Sequence, residues 1–381
     1  MPPRRLSSVD GKLADPYGDG YNRSRVNRRG IERGKSWMKL SILDYSEIRA
    51  EASPETAMAE TLQLAQAAER WGYHRFWVSE HHGNRVLAGS APEILVSALG
   101  ASTEGRIRIG SGGIMLPMHS PFKVAESFSV LAALYPGRID LGVGRSTGGR
   151  AETSAALLDG RSGSFSRYSE QVARLAAYVR GTPAPGAGLG GQAVVTPRAA
   201  SGPELWLLGS SEGGAEIAAA SGMGLAFGHF IRGRAGREAV QAYRDRFVPA
   251  ATGDQPRVLV SLFAVCGRDA AEAELLASVF DDYLLDIGEG GRLQRVPTVE
   301  EVQGRSYTEE QRQKIRAGRA RMVVGDPAGV RRQLIALADL YGADELMLAT
   351  VSPDVQAKLR MYELLAEAMQ LKAQPEDPAQ P

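Results

Sequence analysis

The chain has 381 residues, 43% of them hydrophobic, and its 45 basic and 44 acidic side chains give a formal net charge of +1. This balance is ordinary for a globular protein and gives no reason to expect a nucleic acid or an acidic membrane as partner. The single cysteine, Cys266, excludes an intrachain disulfide and a cysteine-based metal site. No run of about 18 apolar residues predicts a transmembrane helix, so we expect a soluble, cytoplasmic protein.

The two ends of the chain differ from the rest. Residues 1–37 carry nine Lys or Arg against four acidic residues and show no hydrophobic period. We interpret them as a disordered N-terminal extension without a signal-peptide core, and a basic arm that contacts a partner is the alternative. Residues 372–381 are rich in Pro and Gln and predict a disordered tail.

From Met38 onward, short β-rich runs alternate with amphipathic stretches, which is typical of repeated βα units and a parallel sheet. Eight such units predict an α/β fold, a single (β/α)8 TIM barrel over residues 38–371, and an open doubly wound sheet is the weaker alternative. The predicted strands cover residues 39–44, 75–79, 107–116, 138–143, 205–208, 225–230, 258–265 and 345–349. The predicted helices cover residues 55–71, 92–102, 121–134, 169–180, 212–221, 237–247, 270–285 and 353–371.

Two segments do not follow the repeat. Residues 182–203 are dominated by Pro, Gly and Ala and predict a surface loop. Residues 286–321 are polar and form an insertion between strands seven and eight. A long excursion at the active end of a barrel is more often a lid than a linker, so we expect a lid here, with a disordered insertion as the alternative.

Strand two runs directly into Glu80, His81 and His82, which places three ionisable side chains at the carboxyl end of a barrel strand, where TIM-barrel active sites lie. His119 and His229 also lie near the carboxyl ends of predicted strands. Clustering at one rim favours a site over separate structural roles. No metal-binding spacing accompanies these histidines, so we predict no metal site.

The ends of strands three, four and five are rich in glycine. Gly112 and Gly113 interrupt strand three, which indicates a close approach to the backbone, such as a stacked flat ring, or a β-bulge. Arg145 follows strand four in a geometry suited to a phosphate. After strand five, Ser210 and Ser211 begin a helix whose N–H groups attract an anion, although a plain N-cap also explains Ser211.

Two neighbouring strand ends that favour phosphate indicate a phosphate-bearing cofactor. A Rossmann GxGxxG does not follow strand one, and the chain contains no P-loop motif.

In order and type, these residues resemble the bacterial luciferase-like superfamily of flavin-dependent monooxygenases. The resemblance covers about residues 38–368 and is most specific over residues 71–145, in the Glu80-His81-His82 segment, in LPMHSPFKVAE (residues 116–126) and in PGRIDLGVGR (residues 136–145). It implies the TIM barrel, a mobile lid after strand seven and a site for FMN.

The resemblance also implies roles for single residues. Glu80 and His81 match positions that line the isoalloxazine site, with His81 closest to catalysis and His82 beside it. Gly112-Gly113 matches a non-proline cis peptide against the flavin ring. The phosphate positions match Arg145, Ser211 and, more loosely, Arg167; Gly214 stands where luciferase has a hydroxyl-bearing residue.

One departure concerns Gly144, which occupies the position of a reactive cysteine in true luciferase and so weakens any expectation of light emission. The chain looks more like the subgroup of bacterial antibiotic biosynthesis, which hydroxylates or epoxidises polyketide-like substrates. The implied reaction uses reduced FMN (FMNH2) from a separate flavin reductase, adds O2 to form a C4a-peroxyflavin and transfers one oxygen atom to a small substrate, with His81 as acid or base. The family also implies a homodimer.

Two alternatives stay open. A deazaflavin-dependent dehydrogenase on the same barrel would transfer hydride without O2, and the sequence separates it poorly from an oxygenase. A non-catalytic partner subunit is the second alternative, against which the intact Glu80-His81-His82 segment and Arg145 count. The substrate itself is not identified by the sequence.

Overall fold

The structure, a computed structural model, describes residues 38–50, 52–146, 149–160 and 165–372. The expectations for residues 1–37 and for almost all of the tail lie outside this part of the chain. Among the described helices, none is both long and apolar enough to cross a membrane.

Nine parallel strands form one sheet. Eight of them close into a barrel in the order β1-β2-β3-β4-β5-β6-β7-β9, because β7 pairs with both β6 and β9 and β1 pairs with β9. The strands are Lys39–Asp44 (β1), Arg75–Val78 (β2), Arg108–Met115 (β3), Ile139–Gly144 (β4), Glu204–Gly209 (β5), Gly224–Gly228 (β6), Val258–Cys266 (β7), Met322–Gly325 (β8) and Glu345–Ala349 (β9). The prediction of a (β/α)8 TIM barrel is confirmed.

Helices surround the barrel. They are Pro54–Trp71 (α1), Pro92–Ser102 (α2), Pro121–Leu134 (α3), Ala151–Leu158 (α4), Tyr168–Arg180 (α5), Glu212–Ala220 (α6), His229–Arg232 (α7), Arg237–Asp245 (α8), Ala270–Gly288 (α9), Val299–Gln303 (α10), Glu309–Arg319 (α11), Pro327–Tyr341 (α12) and Val355–Met369 (α13). Short 3-10 helices cover Leu116–Met118, Phe165–Arg167, Gly188–Gln192 and Gly233–Gly236.

The structure corrects the predicted elements in three places. Strand six ends at Gly228, and His229 begins a helix instead of ending a strand. The insertion contains α10 and α11, and it is followed directly by a ninth strand, β8, which pairs with the last four residues of β7 outside the closed barrel. Helices α4 and α12 were not predicted at all.

An ion-pair cluster closes the amino end of the barrel. The buried guanidinium of Arg75 donates to Asp140 at 2.8 Å and to Glu345 at 2.9 Å, and Arg108 donates to the other oxygen of Asp140 at 2.6 Å. Burial alone would raise the pKa of Asp140, but the Arg75 and Arg108 charges bring it below its ordinary value. Because buried charges are tolerated only when they are paired, these ion pairs stabilise the charged side chains inside the amino end of the barrel.

Above that cluster, apolar side chains fill the barrel interior. Trp77 and Trp206 meet edge to face, with ring centroids 5.8 Å apart, and Arg75 lies over the Trp206 ring. The same interior cluster contains Leu43, Trp77, Trp206, Ala226, Leu259, Met347 and Ala349. These side chains form the floor on which the cavity described next rests.

Candidate active site

A cavity of about 540 Å³ opens at the carboxyl ends of the barrel strands. Its volume lies in the range of small-molecule and cofactor sites, and its position is that of TIM-barrel active sites. It is lined by segments from six strand ends, with Tyr45, Ser79–His81, Gly112, Gly113, Met115, Gly144–Ser146, Tyr168, Ser210, Ser211, Gly213, Gly214, Phe230 and Ile231 among them.

A second cavity, of about 650 Å³, lies at the other end of the barrel beside the starts of β5 and β7. Although it is larger, it contains none of the motifs at the strand ends. Arg257 and Glu204, which line it, pair with each other at 2.7 Å. We therefore assign the active site to the cavity at the carboxyl end.

Glu80 is the centre of the hydrogen-bond network beside this cavity. It is buried, and its Oε1 accepts from Nε2 of His82 and from Nε2 of His119, both at 2.7 Å, while its Oε2 accepts from the Met115 N–H at 2.9 Å. Burial would raise the pKa of Glu80, but the hydrogen bonds, led by that from His119, lower it below its ordinary value. Glu80 is therefore an ionised, fully engaged carboxylate that fixes the rim of β3.

The donor atoms of Glu80, His82 and His119 lie within 4.8 Å of one another, a grouping that spacing in the sequence did not predict. Such a set could hold a metal ion. However, both imidazole nitrogens lie at hydrogen-bond distance from one carboxylate oxygen, so hydrogen bonding accounts for the arrangement.

His81 is the histidine that faces the cavity. Its Nδ1 lies 2.9 Å from the Ser79 Oγ, and its ring meets Tyr45 edge to face at 5.7 Å. Burial lowers the pKa of His81 to about 4, against the opposing charge of Glu80. The imidazole is therefore neutral at pH 7 and can accept a proton from a group bound in the cavity.

The Gly112–Gly113 peptide bond is cis, as the resemblance predicts, and both residues line the cavity. The register against β4 shifts between Gly112 and Ile114. A Cβ added at Gly113 would lie 2.7 Å from the Gly142 carbonyl oxygen, and one at Gly112 would lie 2.7 Å from the Leu43 Cδ1. These close contacts leave room for glycine alone, so bare backbone lines this part of the cavity.

A second group of lining residues offers hydrogen-bond donors. Arg145, Ser210 and Ser211 line it, and Ser211 caps α6 by accepting from the Gly214 N–H at 3.4 Å. The first-turn N–H groups of a helix favour an anion. The exposed Arg145 guanidinium also donates to the Phe165 carbonyl oxygen at 3.3 Å, so its position is partly fixed.

Tyr168 adds a donor that the sequence did not reveal. Its side chain lines the cavity, yet its buried hydroxyl has no hydrogen-bond partner within the described residues. A buried hydroxyl without a partner is costly, and a ligand oxygen beside Arg145 would satisfy it. The neighbouring Arg167, predicted as a phosphate ligand, is exposed and is absent from the described lining.

The other histidines are placed elsewhere. His229 is buried in α7, where its Nδ1 lies 2.8 Å from the Tyr341 hydroxyl, and it does not line the described cavity. His74 lies at the amino end, 3.2 Å from the Lys39 Nζ. Of the five histidines, His81 is therefore the one that lines the cavity, whereas His82 and His119 form hydrogen bonds with Glu80.

The cavity combines a glycine wall, a neutral imidazole and a cluster of anion-binding donors. These features suit a planar group that carries a phosphate, because the glycine backbone leaves room for a ring and the buried Tyr168 hydroxyl, beside Arg145, has no hydrogen-bond partner among the described residues. The fold and site therefore define a TIM-barrel protein with a small-molecule or cofactor cavity at the carboxyl end of its strands.

Comparison with known proteins identifies the family. Residues 38–344 match the luciferase-like monooxygenase model. The chain is 44% identical to YwcH, an uncharacterized protein of Bacillus subtilis, over 331 residues, which are 87% of this chain and 99% of YwcH. It is 33% identical to an N-acetyl-S-alkylcysteine monooxygenase of the same organism over 334 residues, which are 87% of this chain and 98% of that enzyme. The chain belongs to the luciferase-like monooxygenase family.

Solved structures agree on the fold. The crystal structure of apo-MsnO8 has a TM-score of 0.76 and 36% identity, and the match covers 88% of this chain and 99% of that chain. The oxygenating constituent of 3,6-diketocamphane monooxygenase from Pseudomonas putida, in complex with FMN, has a TM-score of 0.65 and 18% identity over 90% of this chain and all (100%) of that chain. An F420-dependent secondary alcohol dehydrogenase has a TM-score of 0.62 and 15% identity over 88% of this chain and 99% of that chain.

Proposed function

We propose that this protein is a two-component monooxygenase that binds reduced FMN and uses O2 to hydroxylate or epoxidise a small organic substrate. The observation that carries the proposal is one cavity that joins neutral His81 to the donor cluster of Arg145 and Tyr168. A relative named as a monooxygenase, 33% identical, supports the reaction class, and a structural neighbour solved with FMN supports the cofactor.

Different residues of the cavity would contact different parts of the cofactor. Arg145, Ser210, Ser211, Tyr168 and the first turn of α6 would hold the phosphate through charge-assisted and N–H hydrogen bonds. When bound, the reduced flavin supplies the electrons that activate O2 at its C4a position.

Elsewhere in the cavity, Gly112 and Gly113 would lie against the ring and orient it. His81 would accept or hold a proton at the edge of the ring. Glu80 binds no substrate in this scheme; it holds the Met115 N–H and thereby the β3 rim in place. The protein would thus bind, orient and handle protons, while the cofactor would supply the redox chemistry.

We infer that residues 286–321 act as a lid that excludes water during the reaction. Within this segment, Arg305 pairs with the buried Asp282 of α9, and Tyr307 donates to the same carboxylate at 2.9 Å. In α11, Arg319 donates to Asp281 of α9 at 2.7 Å. These contacts support a lid hinged on α9. A separate flavin reductase, a homodimeric assembly and a cytoplasmic location complete the proposal.

A hydride-transferring enzyme that uses a deazaflavin is the second candidate. The fold shared with an F420-dependent alcohol dehydrogenase favours it, because the same barrel can serve either cofactor. The two candidates differ in whether O2 reacts with the bound reduced cofactor.

The proposal predicts that O2 mixed with the anaerobic complex of the protein and reduced FMN oxidises the flavin in two phases. The second phase should be slower than oxidation of free reduced FMN, because the cavity shields the cofactor from water. Flavin absorbance in a stopped-flow instrument measures both phases, with the same mixing in the absence of protein as control. A single phase at the rate of free FMN would count against an oxygenase.

A further inference from the structure

A third cavity, of about 450 Å³, lies between α9 and α11 and shares Phe230 with the cofactor cavity. We call this cavity the side chamber. Its walls include Phe230, Phe263, Leu284, Leu285 and Ile315. Its volume lies in the range of small-molecule sites, and most of these walls are apolar.

Strand β7 contributes lining residues to both cavities. Ser261 lines the cofactor cavity, and Phe263, two residues farther along the strand, lines the side chamber. Residues two apart on a strand point to the same face and lie about 7 Å apart. Phe263 stacks on Phe230 with ring centroids 4.7 Å apart and an interplanar angle of 20°. This aromatic pair is therefore the partition between the cofactor cavity and the side chamber.

Gly318 leaves part of the side chamber unfilled. It lies within α11 and lines the side chamber, and its φ is not in the left-handed region, so the backbone does not require glycine. A Cβ added there would have no heavy atom within 4 Å, so packing does not require glycine either. Glycine in a helix costs about 1 kcal/mol relative to alanine. What this glycine provides is open volume.

Charged side chains of the side chamber are already engaged. Asp281 accepts from Arg319 at 2.7 Å, Lys314 pairs with Glu310 at 2.9 Å, and Arg321 donates to the Ile231 carbonyl oxygen at 2.8 Å. Burial raises the pKa of Asp281 to about 6 against the opposing charge of Arg319. Asp281 and Lys314 thus already have partners of opposite charge, and Arg321 is held by a carbonyl oxygen, so an ionic ligand group would have to displace one of these contacts.

We propose that the side chamber binds the uncharged hydrocarbon part of the substrate, so that its reacting atom reaches past Phe230 to the cofactor. This inference rests on the proposed function for the reaction, but the binding of a hydrocarbon group in the chamber is independent of which cofactor is used. The substrate class is therefore an uncharged molecule with a substantial alkyl, terpenoid or aromatic portion.

Binding of N-phenylnaphthylamine, an uncharged apolar fluorophore, tests this on the full chain without cofactor. Straight-chain alcohols should displace it, with affinity rising about fourfold for each added methylene, which corresponds to ~0.8 kcal/mol. Carboxylates of equal chain length should displace it less well. Displacement without dependence on chain length, or a preference for carboxylates, would overturn the proposal.

Two variants fill the side chamber from different residues. Gly318→Leu improves helix propensity and should weaken probe binding roughly tenfold or more, with Gly318→Ala intermediate. Ile315→Trp should do the same, and Ile335→Trp, at an exposed position of α12, is the matched control. Probe binding unchanged in both filling variants would place the probe elsewhere and overturn the proposal.

The filling variants also separate the two proposals. Gly318→Leu should bind reduced FMN as the unmodified protein does, because the side chain lies outside the phosphate and ring contacts. Chain-length-dependent probe binding without any flavin binding would uphold the chamber and refute the oxygenase. Flavin binding without probe binding in the side chamber would refute the chamber proposal and leave the oxygenase proposal standing.

Discussion

Replacing Arg145 with alanine is expected to weaken the binding of reduced FMN about 100-fold, which corresponds to ~3 kcal/mol for a lost charge-assisted contact with the phosphate. Arg145 lines the cavity beside the Tyr168 hydroxyl, which has no partner in the described part of the chain. Anaerobic equilibrium titration, followed by flavin fluorescence or calorimetry, measures the change in Kd.

Two comparisons make the Arg145 result specific. Reduced riboflavin lacks the phosphate, so its Kd should be the same for Arg145→Ala and the unmodified protein. Arg167→Ala removes an exposed guanidinium that does not line the described cavity, and it should change the Kd for reduced FMN less than about threefold. Equal losses for FMN and riboflavin would mean that Arg145 supports the fold of the site and does not bind the phosphate.

Replacing His81 with asparagine is expected to slow the reaction of bound reduced FMN with O2 by roughly 10²-fold or more, the usual effect of losing a general acid–base group. The Kd for reduced FMN should change little, because His81 is not one of the proposed phosphate donors. His74→Asn, at the amino end of the barrel, is the matched control. Stopped-flow absorbance gives the rate constant for each variant.

The pH dependence of the same rate constant tests the protonation state of His81. Burial lowers the pKa of His81 to about 4, so the imidazole stays neutral from pH 8 down to about pH 5. The rate constant should be flat over that range and fall only as the pH approaches 4, when the proton acceptor is lost. A fall centred near pH 6.5, the ordinary histidine pKa, would show that His81 is more open to water than the structure indicates.

The barrel and the centre of the site were predictable because local patterns determine them. Alternating strands and helices predict the eight-stranded closure, and a strand that ends in Glu80, His81 and His82 predicts side chains at its carboxyl rim. Tyr45 follows β1 in the same way, and the same rule applied to every strand would have found it. Helix α12 also carried its signals: Asp326 caps it, Pro327 begins it and Gly342 ends it in the left-handed conformation.

Other features depend on contacts distant in sequence. His119 was noticed at a strand end, but its bond to Glu80, 39 residues away, follows from how β2 and β3 lie side by side. Arg167 was predicted as a phosphate donor. At the start of α5, however, the buried side chain is that of the next residue, Tyr168. The side chamber is formed by α9, α11 and Phe230, which are distant in sequence, and residue spacing does not predict such long-range contacts.

The grouping of Glu80, His82 and His119 shows the limit of spacing rules for metal sites as well. Glu80 and His82 are two residues apart and His119 follows another strand, so no short motif joins the three. Their geometry becomes interpretable only through shared hydrogen bonds to one oxygen of Glu80.

Parallel anaerobic titrations of the protein with reduced FMN and with a reduced deazaflavin cofactor distinguish the two proposed functions. Reduced FMN should bind more tightly than the deazaflavin and more tightly than oxidised FMN, as expected of an oxygenase supplied by a separate reductase. Tighter binding of the deazaflavin would rule out the proposed oxygenase and make this protein a hydride-transferring enzyme on the same barrel.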